Sequence, residues 1–328
     1  MTRRHTLSAT AALATCLVTL TACSSGGGRP AAEASAAPNA EKPTTMTVAF
    51  ITHGAPGDTY WDIVKKGAED AARNDGVELQ YSSDPDGAGQ ANLVKQAVDK
   101  KVDGIAVSLA KPEAMSANVK AAVAAGVPVV ALNAGDQQWR SLGALAFFGQ
   151  DEKIAGQEAG GRLKSEGASK VLCVIHEQGN VGHEARCDGV SAGFPGTEKL
   201  YVNGADMGDV QSKITAKLQQ DTGISHVITL GAPFAMTAIS SIQTSGSKTK
   251  LVTFDLNKEL VDQIKAGKVE WAVDQQPYLQ GYLSVESLYL TKTNGNVVGG
   301  GRPVLTGPAF VDAANVDKVA EFAAAGKR

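Results

Sequence analysis

Residues 46–76, MTVAFITHGAPGDTYWDIVKKGAEDAARNDG, most narrow what this chain can fold into. Met46 to Ile51 is an unbroken apolar run with the look of a strand buried on both faces. Gly54-Ala55-Pro56-Gly57 turns the chain, and Asp58 stands where a helix N-cap accepts from the first free N–H groups. Trp61, Val64, Ala68 and Ala71 then recur at helical spacing, until Asn74 to Gly76 closes the segment. Strand, polar loop and helix in that order open a parallel α/β sheet. In such sheets ligands meet the loops at the carboxyl ends of the strands. His53, Asp58, Tyr60 and Trp61 fall in that loop or just after it.

The unit repeats. Val77 to Tyr81, Ile105 to Leu109, Val127 to Leu132 and Ala144 to Phe148 read as further strands, with helices around Leu93 to Val98 and from Met115 to Ala125. Ser108 and Asn133 stand at the carboxyl ends of two of them. After about residue 150 the alternation restarts. Strands are expected at Val171 to Ile175, Leu200 to Val202, Val227 to Leu230, Leu251 to Phe254 and Val269 to Val273. Helices are expected at Ile154 to Leu163, from Glu184, and at Val210 to Leu218, Ala235 to Ile242, Leu260 to Ile264 and Val316 to Ala325. Two consecutive α/β series mean two similar, doubly wound parallel-sheet lobes, with the cleft between them as the default binding site. The expected boundaries are 46–149 plus 277–302 for the first lobe and 150–276 plus 303–328 for the second, with the chain crossings as hinge.

The first 22 residues have the signature of an export signal: Arg3 and Arg4, a short weakly apolar stretch, then small residues. Leu20-Thr21-Ala22-Cys23 resembles a bacterial lipobox, in which Cys23 is lipidated and becomes the first mature residue. An ordinary cleaved signal with an incidental cysteine is the alternative. Cleavage removes only Arg3 and Arg4 among charged residues, so the net charge moves from −3 to −5. Residues 24–45 are rich in Ser, Gly, Ala and Pro without apolar periodicity, and read as a flexible tether. Neither charge offers the basic field that nucleic acid requires.

Cys173 and Cys187 fall in one lobe of an exported chain and are expected to pair, closing a loop worth roughly 3 kcal/mol in the chain-entropy treatment. A free buried pair is the alternative. Between them, His176-Glu177 and His183-Glu184 invite a metal reading. The histidines are seven residues apart across a Gly-Asn turn and lack a third ligand nearby, so no metal is expected. His183 or Glu177 instead suits a ligand-facing polar group. Gly189-Val190-Ser191-Ala192-Gly193 matches G-x-S-x-G, but no strand precedes it as a nucleophile elbow requires. No phosphate-binding or dinucleotide loop follows any strand, so no cofactor is expected.

The order and spacing of several short motifs resemble the type I periplasmic sugar-binding proteins, the ribose-binding group of ABC-importer receptors. The likeness covers roughly residues 46–305. It is carried by the opening strand and polar-aromatic loop, Val102-Asp103-Gly104-Ile105, Gly126-Val127-Pro128-Val129-Val130 leading to Asn133, Arg186-x-x-Gly189, Phe254-Asp255, and Gln275 before Pro277. The resemblance implies that Asp58, Tyr60, Trp61, Ser108 and Asn133 line the cleft from the first lobe. From the second it implies Arg186, Asp255 and, near the crossover, Gln275. It also implies a non-catalytic, monomeric receptor that passes a small sugar or polyol to an ABC permease. Carboxylate, amide and guanidinium groups suit vicinal hydroxyls, and aromatic faces suit the C–H side of a ring. The chain departs from the pattern at Gly231-Ala232-Pro233-Phe234, where relatives carry an Asn-Asp pair. Phe234 in the cleft hints at a smaller, deoxygenated or partly apolar ligand. A sensor lipoprotein serving a membrane partner and an exported hydrolase are the readings from other classes.

Overall fold

The computed structural model describes residues 45–328, so the expected signal, Cys23 and nearly all of the tether lie outside the described residues. The first half runs β1 (Thr47–Thr52), α1 (Thr59–Asp75), β2 (Glu78–Ser83), α2 (Gly87–Asp99), β3 (Gly104–Ser108), α3 (Pro112–Ala124), β4 (Val129–Asn133) and β5 (Phe147–Gly149). The second runs α4 (Glu152–Ser165), β6 (Val171–Ile175), α5 (Val181–Gly193), β7 (Thr197–Tyr201), α6 (Met207–Gln220), β8 (His226–Thr229), α7 (Ala232–Ser245), β9 (Lys250–Phe254), α8 (Lys258–Lys265) and β10 (Trp271–Asp274). The chain then closes with α9 (Pro277–Asn294), β11 (Val304–Leu305), β12 (Ala309–Asp312) and α10 (Asp317–Ala324).

Two sheets of the same design result, ordered β11-β5-β4-β3-β1-β2 and β12-β10-β9-β8-β6-β7. The pairs within the first are parallel. In the second only β12 is antiparallel, lying against β10. Both sheets are buried on both faces, as continuous apolar strands require. In β1, Val48 and Phe50 pack with α1 and α9, while Ala49 and Ile51 pack with α2 and α3. Phe50 is fully buried, worth about 2–3 kcal/mol against exposure.

The chain passes between lobes at 149–152, 274–277 and 305–309. A return to the second lobe at 303 was the expectation. The pairing of Val304 and Leu305 with Phe148 and Gly149 keeps the chain in the first lobe until 305. So short a strand carries too little apolar pattern to be read from sequence. The helix expected from Glu184 begins at Val181, because Asn180 caps it by accepting from the N–H groups of Gly182 and His183.

Gly189 and Gly193 are not a nucleophile elbow but part of a helix seam. A Cβ at Gly189 would run into the carbonyl of Lys153, and one at Gly193 into that of Gln157. Gly156 and Gly160 complete the contact from α4, so the two backbones touch. The Cys173 and Cys187 sulfurs lie at bonding distance with Cα atoms 5.9 Å apart, where α5 packs on β6.

Candidate functional site

A cavity of about 930 Å³ lies between the lobes at the carboxyl ends of both sets of strands. Its floor is built by residues that end strands. Asn133 ends β4 with φ +63°, and Asp255 follows β9 with φ +66°, both in the left-handed region that Asn and Asp tolerate better than most residues. Gln275 follows β10 and is buried between them. Its Nε2 donates to Asp255 Oδ1 at 2.7 Å, and its Oε1 accepts from Gln280 Nε2 at 3.0 Å. Gln280 Oε1 in turn accepts from the Tyr60 hydroxyl at 2.9 Å, which accepts from Asn133 Nδ2 at 2.8 Å. One hydrogen-bonded chain thus connects the floor groups of both lobes through a residue of α9.

The wall from the first lobe is the loop after β1. Asp58 caps α1, accepting from Tyr60 N–H at 3.0 Å. Trp61 meets the rings of His53 and Tyr60 edge-on at 4.7 and 5.1 Å. Both Tyr60 and Trp61 are buried and belong to the core cluster of this lobe as well as to the cavity lining. Core packing and a cleft position are therefore not alternatives for these two.

Ser108, expected in the cleft, lies behind it. It is fully buried, absent from the lining, and holds His53 in place. Its Oγ accepts from the His53 N–H at 3.1 Å and from Gln90 Nε2 at 3.1 Å, and meets His53 Nδ1 at 2.7 Å.

The second lobe supplies Arg186, His176, His183 and Phe234. Arg186 is buried and bidentate with Glu152, its Nη2 donating to Oε1 at 2.8 Å, and its guanidinium lies 5.1 Å from the Phe254 ring centre. Burial opposes its charge, but Glu152 and Asp255 outweigh burial and hold it above the ordinary guanidinium range. His176 stacks on Phe234 with centroids 3.6 Å apart, and His183 lies 4.3 Å from His176. Burial, with Arg186 nearby, lowers His176 to about 3 and His183 well below the usual histidine range, so both rings are neutral at pH 7. Burial likewise lowers His53, although Glu177 opposes this.

The carboxyls move the other way. Burial raises Asp255 to about 7, despite Arg186 and the Gln275 hydrogen bond, and raises Asp58 to about 6, despite the Tyr60 N–H. Among the sequence candidates, every one except Ser108 lines the cavity. Glu177, the alternative to His183 as a ligand-facing group, lines it too, as do His176 and Lys111. His176 follows β6 as His53 follows β1, an equivalence that the internal repeat could have disclosed.

Two matched parallel-sheet lobes that close over a cavity of carboxylates, amides and aromatic rings define a receptor for a small solute held between them. The periplasmic binding protein domain matches residues 48–294, and the chain belongs to that family. A carbohydrate transporter from Acidothermus cellulolyticus 11B, solved in complex with myo-inositol, is 53% identical, with 87% of this chain and all of that chain covered and a TM-score of 0.86. The xylose/arabinose-binding protein XylF of Sulfolobus acidocaldarius is 26% identical over 75% of this chain. The match spans 66% of that protein, just under two thirds. The ribose import binding protein RbsB of Bacillus subtilis is also 26% identical, over 70% of this chain and 76% of its own length.

Proposed function

We propose that the chain is an extracytoplasmic solute receptor that binds one small sugar or sugar-like polyol in the interlobe cavity and delivers it to an ABC permease. The observation that carries this reading is the connected floor of Asp255, Gln275, Asn133 and Tyr60. Ring hydroxyls each donate and accept, and this floor offers a carboxylate acceptor beside amide groups that do both. Asp58 and Arg186 extend the set, while Trp61 and Tyr60 cover the C–H face of a ring. A ligand that touches both lobes at once stabilises the closed state by its differential affinity for it. The relatives that bind myo-inositol, xylose, arabinose or ribose support the same chemistry.

In this reading Cys23 is lipidated and residues 24–45 tether a monomeric, non-catalytic body to the outer face of the membrane. A disulfide between Cys173 and Cys187 suits that oxidising side.

The test is calorimetry and thermal shift of the purified protein with myo-inositol, xylose, arabinose and ribose. A true ligand at one hundred times its Kd adds about 2.7 kcal/mol of stability. Micromolar binding of at least one compound is expected; no binding by any of them rejects the proposal.

A further inference from the structure

The lobes already meet around the cavity. Val181 N–H donates to the Ala110 carbonyl at 3.0 Å, Lys111 Nζ lies 3.2 Å from Glu177 Oε1, and Asn257 Nδ2 donates to Thr59 Oγ1 at 3.3 Å. Even so the cavity keeps about 930 Å³. That is near the top of the range of about 300–1,000 Å³ typical of sites for drug-sized ligands, and a monosaccharide or cyclitol of about twelve heavy atoms is smaller than those.

The surplus is chemically distinct from the floor. Hydrogen-bonding groups gather at Asp58, Asn133, Arg186, Asp255 and Gln275, whereas a second wall presents His176, Phe234, Pro233, Met207 and Tyr201 beside the polar Gln178 and Asn203. Glycines shape this wall. A Cβ at Gly231 or Gly204 would come within 3.2 Å of the Phe234 ring, and one at Gly204 within 2.6 Å of the His176 carbonyl. The stacked pair Phe234–His176 therefore forms a plate against which Gly204 and Gly231 pack with backbone alone. At the rim, Tyr201 and Met207 are 40% and 42% exposed, two of the large apolar side chains that the described fold leaves in water. The cations at the mouth are already matched, Lys213 by Asp209 at 3.0 Å and Lys111 by Glu177. The wall thus favours apolar over anionic matter.

We propose that the Phe234–His176 plate with Met207 and Tyr201 forms a second subsite, which takes an apolar O-alkyl or O-aryl substituent carried by the polyol. The substrate class is then a substituted cyclitol or glycoside, with the ring on the floor and its substituent leaving along the plate. This rests on the receptor reading above and narrows it.

The experiment is calorimetry on the purified protein with myo-inositol, xylose, arabinose and ribose, with the O-methyl and O-phenyl derivatives of each in every regioisomer, and with the phosphate monoester of any parent that binds. For a parent that binds, at least one derivative is expected to bind as tightly or up to about tenfold more tightly, as partial burial of a phenyl ring allows. The phosphate monoester is expected to bind at least tenfold more weakly. Met207→Ser, at an exposed position that does not threaten the fold, is expected to reduce the derivative-to-parent affinity ratio at least fivefold. If every derivative loses one hundredfold against its parent, or if the ratio ignores Met207→Ser, the second subsite is overturned while the receptor reading stands. If neither parents nor derivatives bind, the receptor reading itself falls and takes this inference with it.

Discussion

Asn133 and Asp255 occupy equivalent places in the two lobes, each at the carboxyl end of the third strand in its sheet order and each in the left-handed conformation, and they meet at one amide. Asn133 Nδ2 lies 3.4 Å from Gln275 Oε1, and Asp255 Oδ1 accepts from Gln275 Nε2 at 2.7 Å. Gln276, the next residue, also has positive φ, at +55°. Such conformations cost of order 1 kcal/mol each and persist where the surroundings over-determine them. Here Asn133, Asp255 and Gln275 bring polar groups of both lobes and of a crossing segment to one point. A ligand at that point reads both lobes and the hinge together.

Asp255 separates affinity from stability. Burial raises its carboxyl from 3.8 to about 7, so the empty native protein holds a proton there that the unfolded chain releases above pH 4. The native state binds more protons across that window, and the stability this contributes is present at its acid end and lost as pH rises through 7. Asp255→Asn keeps an acceptor for Gln275 and never ionises. The empty variant is expected to melt a few degrees above wild type at pH 8 and close to it at pH 5. Ligand binding goes the other way, because hydroxyls donate best to an ionised carboxylate. Wild-type affinity is expected to fall about three- to tenfold from pH 8 to pH 5, with the variant at least tenfold weaker at pH 8 and its profile flatter. Calorimetry at the two pH values checks this, and a flat wild-type profile would remove the ionised acceptor from the account.

The α4–α5 seam predicts a second separation. Alanine at Gly189 places a methyl group on the Lys153 carbonyl, which is backbone and cannot rotate aside. The helices must move apart, at a cost of about 2–4 kcal/mol. That shift also draws Arg186, one turn earlier on α5, away from Glu152 at the head of α4. Gly189→Ala is therefore expected to lose both stability and affinity, whereas Ser191→Ala in the same G-x-S-x-G stretch loses neither. Denaturant titration with ligand binding tests both, and a sensitive Ser191 would restore a chemical role to that motif.

Much of this site was legible in sequence because parallel α/β folds gather side chains at strand ends. Asn133, Asp255 and Gln275 follow apolar runs and Asp58 caps the helix after the opening run, places that this architecture turns towards the cavity. The same rule misplaced Ser108. It ends β3 but turns inward, since the backbone N–H of His53 and the Gln90 amide both need its oxygen. Glu152, Gln280 and Lys111 were out of reach for another reason. Each acts through a partner far along the chain, 220 residues away for Gln280 and Tyr60, and no local pattern encodes that pairing. The β11 crossing escaped because two residues make no periodicity.

The disulfide proposed between Cys173 and Cys187 predicts a folding effect with little effect on the site. The sulfurs sit in the core cluster behind β6, away from the cavity lining. Opening a loop of this length should cost about 3 kcal/mol, less whatever the replacement side chains recover in packing. Cys173→Ala/Cys187→Ala is expected to lower the unfolding free energy by that order while leaving Kd within about twofold, because the α4–α5 seam still orients Arg186. Urea titration with and without reductant measures the first, and calorimetry the second. A double variant as stable as wild type would mean that the bridge does not constrain the unfolded chain.

The contact between Lys111 and Glu177 should act on the lifetime of the closed state. Lys111 belongs to the first lobe and Glu177 to the second. The other oxygen of Glu177 accepts from Asn180 Nδ2 at 2.8 Å within its own lobe and lies 3.7 Å from His53 Nε2 of the first lobe. Glu177→Gln keeps an acceptor for Asn180 and removes the charge facing Lys111 and, more distantly, the neutral His53 ring. Both side chains are partly exposed, so the pair is worth about 0.5–1 kcal/mol rather than the value of a buried one. The ligand should then dissociate about two- to fivefold faster with little change in association, since the latch forms after encounter. Raising salt from 0.05 to about 0.5 M should accelerate dissociation from wild type toward the variant and leave the variant unchanged, because screening removes the same interaction. Stopped-flow dissociation at the two salt concentrations measures both. Equal off-rates for the two proteins at low salt would show that the Ala110–Val181 and Thr59–Asn257 contacts hold the lobes together without it.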